Sequence, residues 1–155
     1  METLLDFQKE GAAWLKNKKY ALLADEMGLG KTCQAVTAAA PPVLVLGPAV
    51  GRIQFSREFE RFSTRTLNIC VLLTAADRSK IPAADVVICS YDLAQTAAVH
   101  SALSSRRWST LVLDEAHFLK SHTAKRTLAV MGEKGLIHCA DRVWCMTGTP
   151  APLHP

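Results

Sequence analysis

The residues best suited to chemistry lie in a glycine-bearing turn that ends in Gly28-Leu29-Gly30-Lys31-Thr32. The two glycines let the backbone curl so that several N–H groups point at one anion. The positive end of the following helix favours the same anion. A lysine at this place neutralises the β- and γ-phosphates of a nucleotide, and a threonine hydroxyl holds Mg²⁺. Lys31 and Thr32 therefore predict a site for a nucleoside triphosphate and Mg²⁺.

This turn departs from the strict phosphate-loop pattern G-x-x-x-x-G-K-[ST] at one position. Asp25 stands where the first glycine is expected. The alternative interpretation is a strand-to-helix turn that only packs.

Two adjacent carboxylates, Asp114 and Glu115, come directly after the apolar run Leu111-Val112-Leu113. A carboxylate at a strand end can hold Mg²⁺, and its neighbour can polarise an attacking water molecule. Acidic residues also favour the first turn of a helix, so the pair by itself fits either interpretation. Its place downstream of the Lys31-Thr32 turn favours the nucleotide interpretation. A third motif, Thr147-Gly148-Thr149-Pro150, follows another apolar run and offers hydroxyls that could sense the phosphates, although an ordinary turn has the same composition.

The elements that must position these residues alternate along the chain. Helical periodicity is found over residues 4–15, 31–40, 52–62, 92–103 and 125–138, and short apolar runs typical of strands over 20–24, 43–46, 68–73, 86–89, 111–113 and 143–146. This alternation predicts an α/β fold with a mostly parallel sheet covered on both faces. Such a sheet binds its ligands at the carboxyl ends of its strands.

The composition bounds the class of protein. The chain has 155 residues, 49% of them hydrophobic and 21% charged, which predicts one folded domain and excludes a disordered tail or a collagen-like fibre. The net charge of +4 permits nucleic acid as a partner without requiring it. Prolines and glycine interrupt the longest apolar stretch, over residues 35–50, so no membrane span is expected. The five cysteines are odd in number and form no C-x-x-C pair, which predicts reduced thiols, mostly buried.

Together these motifs resemble the first RecA-like lobe of superfamily-two helicases and translocases, and their spelling is closer to the Swi/Snf-type DNA-dependent ATPases. That branch has Asp-Glu-Met-Gly-Leu-Gly-Lys-Thr at its phosphate loop, as at residues 25–32, and a glutamine motif upstream, as around Phe7-Gln8. Its Asp-Glu-x-His box is matched at 114–117 and its motif III at 147–150. The spelling at 117–120 is similar to the annealing-helicase, fork-remodelling group, and a phage or bacterial relative fits equally well.

The resemblance implies a three-layer αβα RecA-like P-loop NTPase lobe over residues 1–155, with ATP and Mg²⁺ as cofactors. It implies catalytic roles for Lys31, Asp114 and Glu115, with Thr32 and Asp114 as Mg²⁺ ligands. The residues that it places at the nucleotide are Gln8 (at the adenine), Met27, Gly28, Leu29, Gly30, Lys31, Thr32 and Cys33. Those that it implies for coupling between the phosphate site and motif III or the other lobe are His117, Thr147, Gly148 and Thr149.

The resemblance also implies partners. Double-stranded DNA would be bound without regard to sequence, and the residues expected near it are Arg52, Gln54, Ser90, Tyr91 and Lys120. A second RecA-like lobe, absent from these 155 residues and supplied in cis or in trans, would bring the arginines that hydrolysis needs, so the chain alone is expected to hydrolyse ATP barely. The location would be cytoplasmic for a bacterial or phage protein and nuclear for a eukaryotic one. An RNA helicase lobe and a non-catalytic, nucleotide-gated module that binds nucleic acid remain alternatives. Departures from the family pattern, such as Phe55 where tryptophan is usual, remove no catalytic group.

Overall fold

The computed structural model describes residues 5–23, 31–63, 66–121 and 123–147. Six strands and six α-helices alternate in this part of the chain. They are α1 (Asp6–Lys16), β1 (Tyr20–Leu23), α2 (Lys31–Ala38), β2 (Val43–Gly47), α3 (Arg52–Phe62), β3 (Ile69–Val71), β4 (Val86–Ser90), α4 (Tyr91–Ala94), α5 (Ala97–Ser104), β5 (Trp108–Leu113), α6 (Lys125–Met131) and β6 (Ala140–Met146). Short 3₁₀ segments lie at Ala49–Gly51, Ala75–Ala83, Ala116–Leu119 and Leu136–Cys139.

All six strands form one sheet in the order β1-β6-β5-β2-β4-β3, and every pairing in it is parallel. Strands β2 and β4, whose residues are almost all apolar, are buried along their whole length. Continuous apolar strands of this kind are typical of a parallel sheet with helices on both faces. The predicted α/β fold is therefore confirmed.

Helices cover the two faces of the sheet as separate layers. Side chains of α1, α2 and α3 share one buried cluster with one face of β2, including Val43 and Val45. The opposite face, including Leu44 and Leu46, shares a second cluster with α4, α5 and α6. In α3, Phe55 is among the phenylalanines that the helical period turns inwards. Ile53, which is also apolar and lies in the first turn of this helix, is by contrast 47% exposed.

Two predicted helices are interrupted. The helix expected over 92–103 is divided into α4 and α5, because Thr96 is extended and its hydroxyl donates to the Leu93 carbonyl at 2.7 Å. A threonine hydroxyl that bonds to the backbone in this way competes with the helix. The helix expected over 125–138 ends at Met131, because Gly132 leaves the helical conformation and the chain continues into the 3₁₀ segment Leu136–Cys139.

Most of the cysteines are buried, as predicted, and so are two of the three tryptophans. All five cysteines are free thiols, of which Cys139 and Cys145 are partly exposed and the other three are buried. Trp108 and Trp144 are fully buried, whereas Trp14 is 46% exposed. Among the described residues, no helix has the length and apolarity that a membrane crossing requires.

Candidate functional site

The carboxyl edge of the sheet gathers the chemistry-bearing residues that the structure describes. Residues 46 and 113 are register partners on β2 and β5, and residues 47 and 90 are partners on β2 and β4, so these three strands end at nearly the same level. Asp114 and Glu115 follow β5 directly. In open parallel sheets ligands bind at this edge.

The phosphate loop itself lies outside the described residues, and with it Met27, Gly28, Leu29 and Gly30. Lys31 is the first residue of α2, and Gln8 lies in α1. Thr32 and Cys33 follow in the first turn of α2, where Thr32 is half-buried and Cys33 is buried. Burial raises the pKa of the Cys33 thiol, which packs in the buried cluster on this face of the sheet.

Asp114 is held against the end of β2. Its backbone N–H donates to the Leu46 carbonyl at 2.7 Å. Its side chain lies directly over Gly47, where an added Cβ would stand 3.0 Å from the Asp114 Cβ. Glycine at position 47 therefore makes room for the aspartate. This glycine could not be singled out from the sequence, because the contact joins residues far apart in the chain.

Glu115 has an unusual backbone conformation, with φ 48° and ψ 51°. The left-handed region costs a residue with a side chain about 1–2 kcal/mol. The carbonyl of Asp114 belongs to the same peptide group as the Glu115 nitrogen, and it accepts a hydrogen bond from the Tyr91 hydroxyl at 2.7 Å. Burial, followed by the negative charges of Asp114 and Glu115, raises the pKa of Tyr91 well above its usual range, so this hydroxyl stays protonated and donates.

His117 connects the loop after β5 to the end of β6. Its Nδ1 lies 3.5 Å from the Glu115 carboxylate and 3.2 Å from the Thr147 hydroxyl. The backbone N–H of Thr147 in turn donates to the Leu23 carbonyl at the end of β1. The imidazole thus links the loop after β5 to the end of β6, and a backbone hydrogen bond links the end of β6 to the end of β1. Gly148 and Thr149, the other two residues expected to couple, lie outside the described residues.

The donor atoms at this edge suit Mg²⁺. Mg²⁺ is typically bound by one or two carboxylates, hydroxyls and the phosphates of its substrate, with water completing the octahedron. Asp114 and Thr32 supply oxygen donors of these types. Among the described residues, no group of three or more histidine, cysteine or acidic residues is arranged to hold a metal ion.

The five residues expected near nucleic acid do not form one exposed patch. The Arg52 guanidinium donates to the carbonyls of Leu72 and Ala49, which occupies it within the chain. Ser90 is buried, and its hydroxyl accepts from the Leu93 N–H at the start of α4.

Of the remaining three, Tyr91 is buried beneath Asp114. Gln54 and Lys120 are exposed. The amide of Gln54 donates to the Glu58 carboxylate at 2.9 Å, one turn along α3.

A cavity of about 130 Å³ opens beside these residues at the ends of β2 and β4. It is lined by Gly47, Pro48, Ala49, Ser90, Tyr91, Asp92, Phe118 and Arg126. The half-buried Arg126 stands over the Phe118 ring, 5.7 Å from its centre. Nothing in the sequence except its charge points to Arg126, because the approach of this residue to the edge depends on how α6 packs.

Comparisons with known proteins agree with this geometry. A profile of the SNF2-related domain matches residues 7–153. The mouse "DNA annealing helicase and endonuclease ZRANB3" is 33% identical over 162 residues, which cover 98% of this chain and 15% of that protein. A Xenopus tropicalis protein, "SWI/SNF-related matrix-associated actin-dependent regulator of chromatin subfamily A-like protein 1", is 33% identical over 160 residues, covering 98% and 16%. The chain thus spans about one sixth of these relatives.

A solved structure is similar over nearly the whole chain. It is the "Sulfolobus solfataricus SWI2/SNF2 ATPase core in complex with dsDNA", with a TM-score of 0.78 and 25% sequence identity. The match covers 96% of this chain and 32% of that one. The parallel sheet and its two helical layers are therefore those of a known ATPase core.

Proposed function

Because this chain belongs to the SNF2-related domain family, we propose that it is the ATP-binding lobe of a DNA-dependent ATPase that translocates on duplex DNA. One observation carries the proposal. Asp114 and Glu115 lie at the carboxyl edge of the sheet, beside the ends of β2 and β4. Residues 1–155 would form one RecA-like lobe, and hydrolysis would require a second.

Each of the predicted site residues has a separate proposed role at the nucleotide. Lys31 and the backbone of the phosphate loop hold the β- and γ-phosphates, and Gln8 binds the adenine. Thr32 and Asp114 hold Mg²⁺, which neutralises charge on the phosphates when it is bound. Glu115 accepts a proton from the attacking water, whose line of attack it also sets.

His117 is suited to report the state of this site. Its contacts to the Glu115 carboxylate and the Thr147 hydroxyl involve one ring nitrogen. A change in the position of Glu115 on hydrolysis therefore changes the hydrogen bonding of Thr147, at the start of motif III. We expect His117 and Thr147–Thr149 to pass this change to the second lobe.

The second lobe accounts for most of the rate. An arginine supplied from outside a phosphate site raises phosphoryl-transfer rates by about 10³–10⁵. The Sulfolobus relative is an ATPase core of which this chain covers 32%. The isolated chain is therefore expected to bind ATP weakly and to hydrolyse it slowly.

Duplex DNA is the proposed partner, because the Sulfolobus core is described in complex with dsDNA. We expect the exposed Gln54 and Lys120, and the half-buried Arg126 at the cavity, to contact backbone phosphates. Contacts of this kind position a protein without reading sequence and weaken as salt rises.

Binding of a fluorescent ATP analogue and hydrolysis with enzyme in excess, each with and without duplex DNA or RNA, test the proposal. Lys31→Ala should abolish binding of the analogue. Glu115→Gln should retain binding and slow hydrolysis by about 10²–10⁴. The matched control is Glu133→Gln, because Glu133 is exposed and follows α6 away from this edge. A parent chain that binds no ATP would refute the proposal, and stimulation by RNA alone would favour the RNA helicase alternative.

A further inference from the structure

The backbone at Glu115 requires an explanation. It is the one non-glycine residue with positive φ in the ranges that the structure describes. Residues with side chains seldom adopt this conformation. Such outliers persist where the surrounding contacts fix them, and they cluster at active sites.

The contacts that fix it converge on the peptide joining Asp114 to Glu115. The Tyr91 hydroxyl holds the carbonyl of this peptide at 2.7 Å. The planar peptide means that the direction of the carbonyl sets the direction of the Glu115 N–H as well. On either side, the Asp114 N–H is bonded to Leu46 and the Glu115 carbonyl accepts from Phe118 at 3.0 Å.

Tyr91 is itself rigidly placed. It is 3% exposed, and its ring is part of the core cluster on this face of the sheet. It begins α4, whose first turn is capped by the Ser90 hydroxyl. Because β2 lies between β4 and β5 in the sheet, Tyr91 reaches Asp114 across the end of β2. Gly47, which has no side chain, occupies that end.

We propose that Tyr91 is a positioning residue for ATP hydrolysis, whose hydroxyl holds the Asp114 carbonyl so that Glu115 stays in the left-handed conformation. Without that bond the peptide is free to rotate, and Glu115 relaxes towards an ordinary conformation. Its carboxylate then leaves His117, from which it now lies 3.5 Å away. The inference rests on the proposed function, in which Glu115 activates water, and it replaces nucleic-acid contact as the role of Tyr91.

The kinetic test compares Tyr91→Phe with Tyr20→Phe. The chain has two tyrosines, and Tyr20 is 68% exposed on β1. Hydrolysis of radiolabelled ATP is followed in a single turnover with the 155-residue chain in excess. The observed rate constant is measured over a range of chain concentrations. We expect Tyr91→Phe to lower its value at saturating chain concentration by about 10- to 100-fold, because a misplacement of about 1 Å has this effect. The chain concentration at half-maximal rate should stay as in the parent.

This readout separates positioning from loss of folding. A partly unfolded variant needs a higher total chain concentration to reach its half-maximal rate, whereas the maximal rate constant of the folded molecules is unaffected. Tyr20→Phe should match the parent in both quantities. A Tyr91→Phe rate constant equal to that of the parent would overturn the inference.

A crystal structure of Tyr91→Phe provides the second arm. We expect Glu115 to have negative φ and its carboxylate to be out of reach of His117. Retention of positive φ would overturn the inference whatever the rate constant. If the parent hydrolyses no ATP above the uncatalysed background, the proposed function loses its catalytic part, and the inference about hydrolysis falls with it. A parent that hydrolyses ATP while Tyr91→Phe keeps its rate refutes the role of Tyr91 alone.

Discussion

Replacement of Gly47 by alanine should disturb the proposed magnesium site without replacing any of its proposed ligands. The added Cβ would stand 3.0 Å from the Asp114 Cβ and 3.5 Å from its Oδ2. Carbon atoms in contact are normally about 3.5–4.0 Å apart. Asp114 must therefore retreat by roughly half an ångström, or the ends of β2 and β5 must separate.

Two opposed effects decide the stability of Gly47→Ala. Loss of glycine flexibility in the unfolded chain stabilises by about 0.4–1 kcal/mol. Overpacking of a buried site destabilises by about 1–3 kcal/mol. Because Gly47 is buried and the atoms nearest to its added Cβ all belong to the short Asp114 side chain, the second effect should win, with a net loss of about 1–2 kcal/mol.

The functional effect should be larger than the loss of stability suggests. Changes to groups that support a metal ligand typically lower metal affinity by about 10- to 100-fold. The measurement is the affinity for a fluorescent ATP analogue with and without Mg²⁺, and the ratio of the two should fall by this factor in Gly47→Ala. Urea unfolding gives the stability in parallel.

Gly51→Ala is the matched control, because its added Cβ would meet only the Asp114 Oδ2, at 3.4 Å. Gly51 has φ −86°, which alanine adopts without strain. The ratio of its affinities for the ATP analogue with and without Mg²⁺ should stay within about twofold of the parent's, which corresponds to about 0.5 kcal/mol. A Gly47→Ala variant that is more stable than the parent and has an unchanged Mg²⁺ ratio would refute the argument that Asp114 is fixed against Gly47 to hold the metal.

Three further predictions concern stability and thiol reactivity. Gly135→Ala should lower the free energy of unfolding by about 2–3 kcal/mol, since its Cβ would stand 2.3 Å from the Val130 carbonyl oxygen; an unchanged urea midpoint would contradict this. Two backbone N–H groups at the start of the 3₁₀ segment Ala75–Ala83 lower the pKa of Asp77 below its ordinary 3.8. This carboxylate therefore stabilises the fold above pH 3.8 and ceases to do so as the pH falls through its lower folded pKa. Acidification from about pH 5 to pH 2 should then destabilise Asp77→Asn less than the parent, and equal losses in urea melts would count against it. Burial raises the pKa of Cys89 to about 12, so iodoacetamide at pH 8 should modify the partly exposed Cys139 first by mass spectrometry; equal labelling in the folded protein would show that Cys89 is accessible.

The sequence predicted the strands and the general position of the site for a local physical reason. A buried parallel strand needs a continuous apolar run, so β2, β4 and β5 are visible in the sequence as such runs. Polar residues that directly follow such runs must then lie at one edge, which is why the sequence alone predicts Asp114 and Glu115 at the site. Helix α3 was predicted with its observed bounds because its phenylalanines repeat at the helical period.

Helix ends were less predictable, because they depend on competition between single hydrogen bonds. The division of residues 92–103 follows from one threonine hydroxyl bonded to the backbone. The end of α6 follows from Gly132 and from the close approach of Gly135 to Val130. Neither of these local features changes the hydrophobic periodicity of its segment, which is the property from which the helices were predicted.

Only the tertiary structure decided which polar groups meet at the edge of the sheet. The strand order puts β2 between β4 and β5, so Tyr91 reaches Asp114 across Gly47, although the three residues lie far apart in sequence. The packing of α6 brings Arg126 beside Phe118 at a cavity, and the Arg52 guanidinium donates to two backbone carbonyls. Hydrophobic periodicity is a property of neighbouring residues and can be read locally, whereas a hydrogen bond between two loops exists only once the strands beneath them are paired.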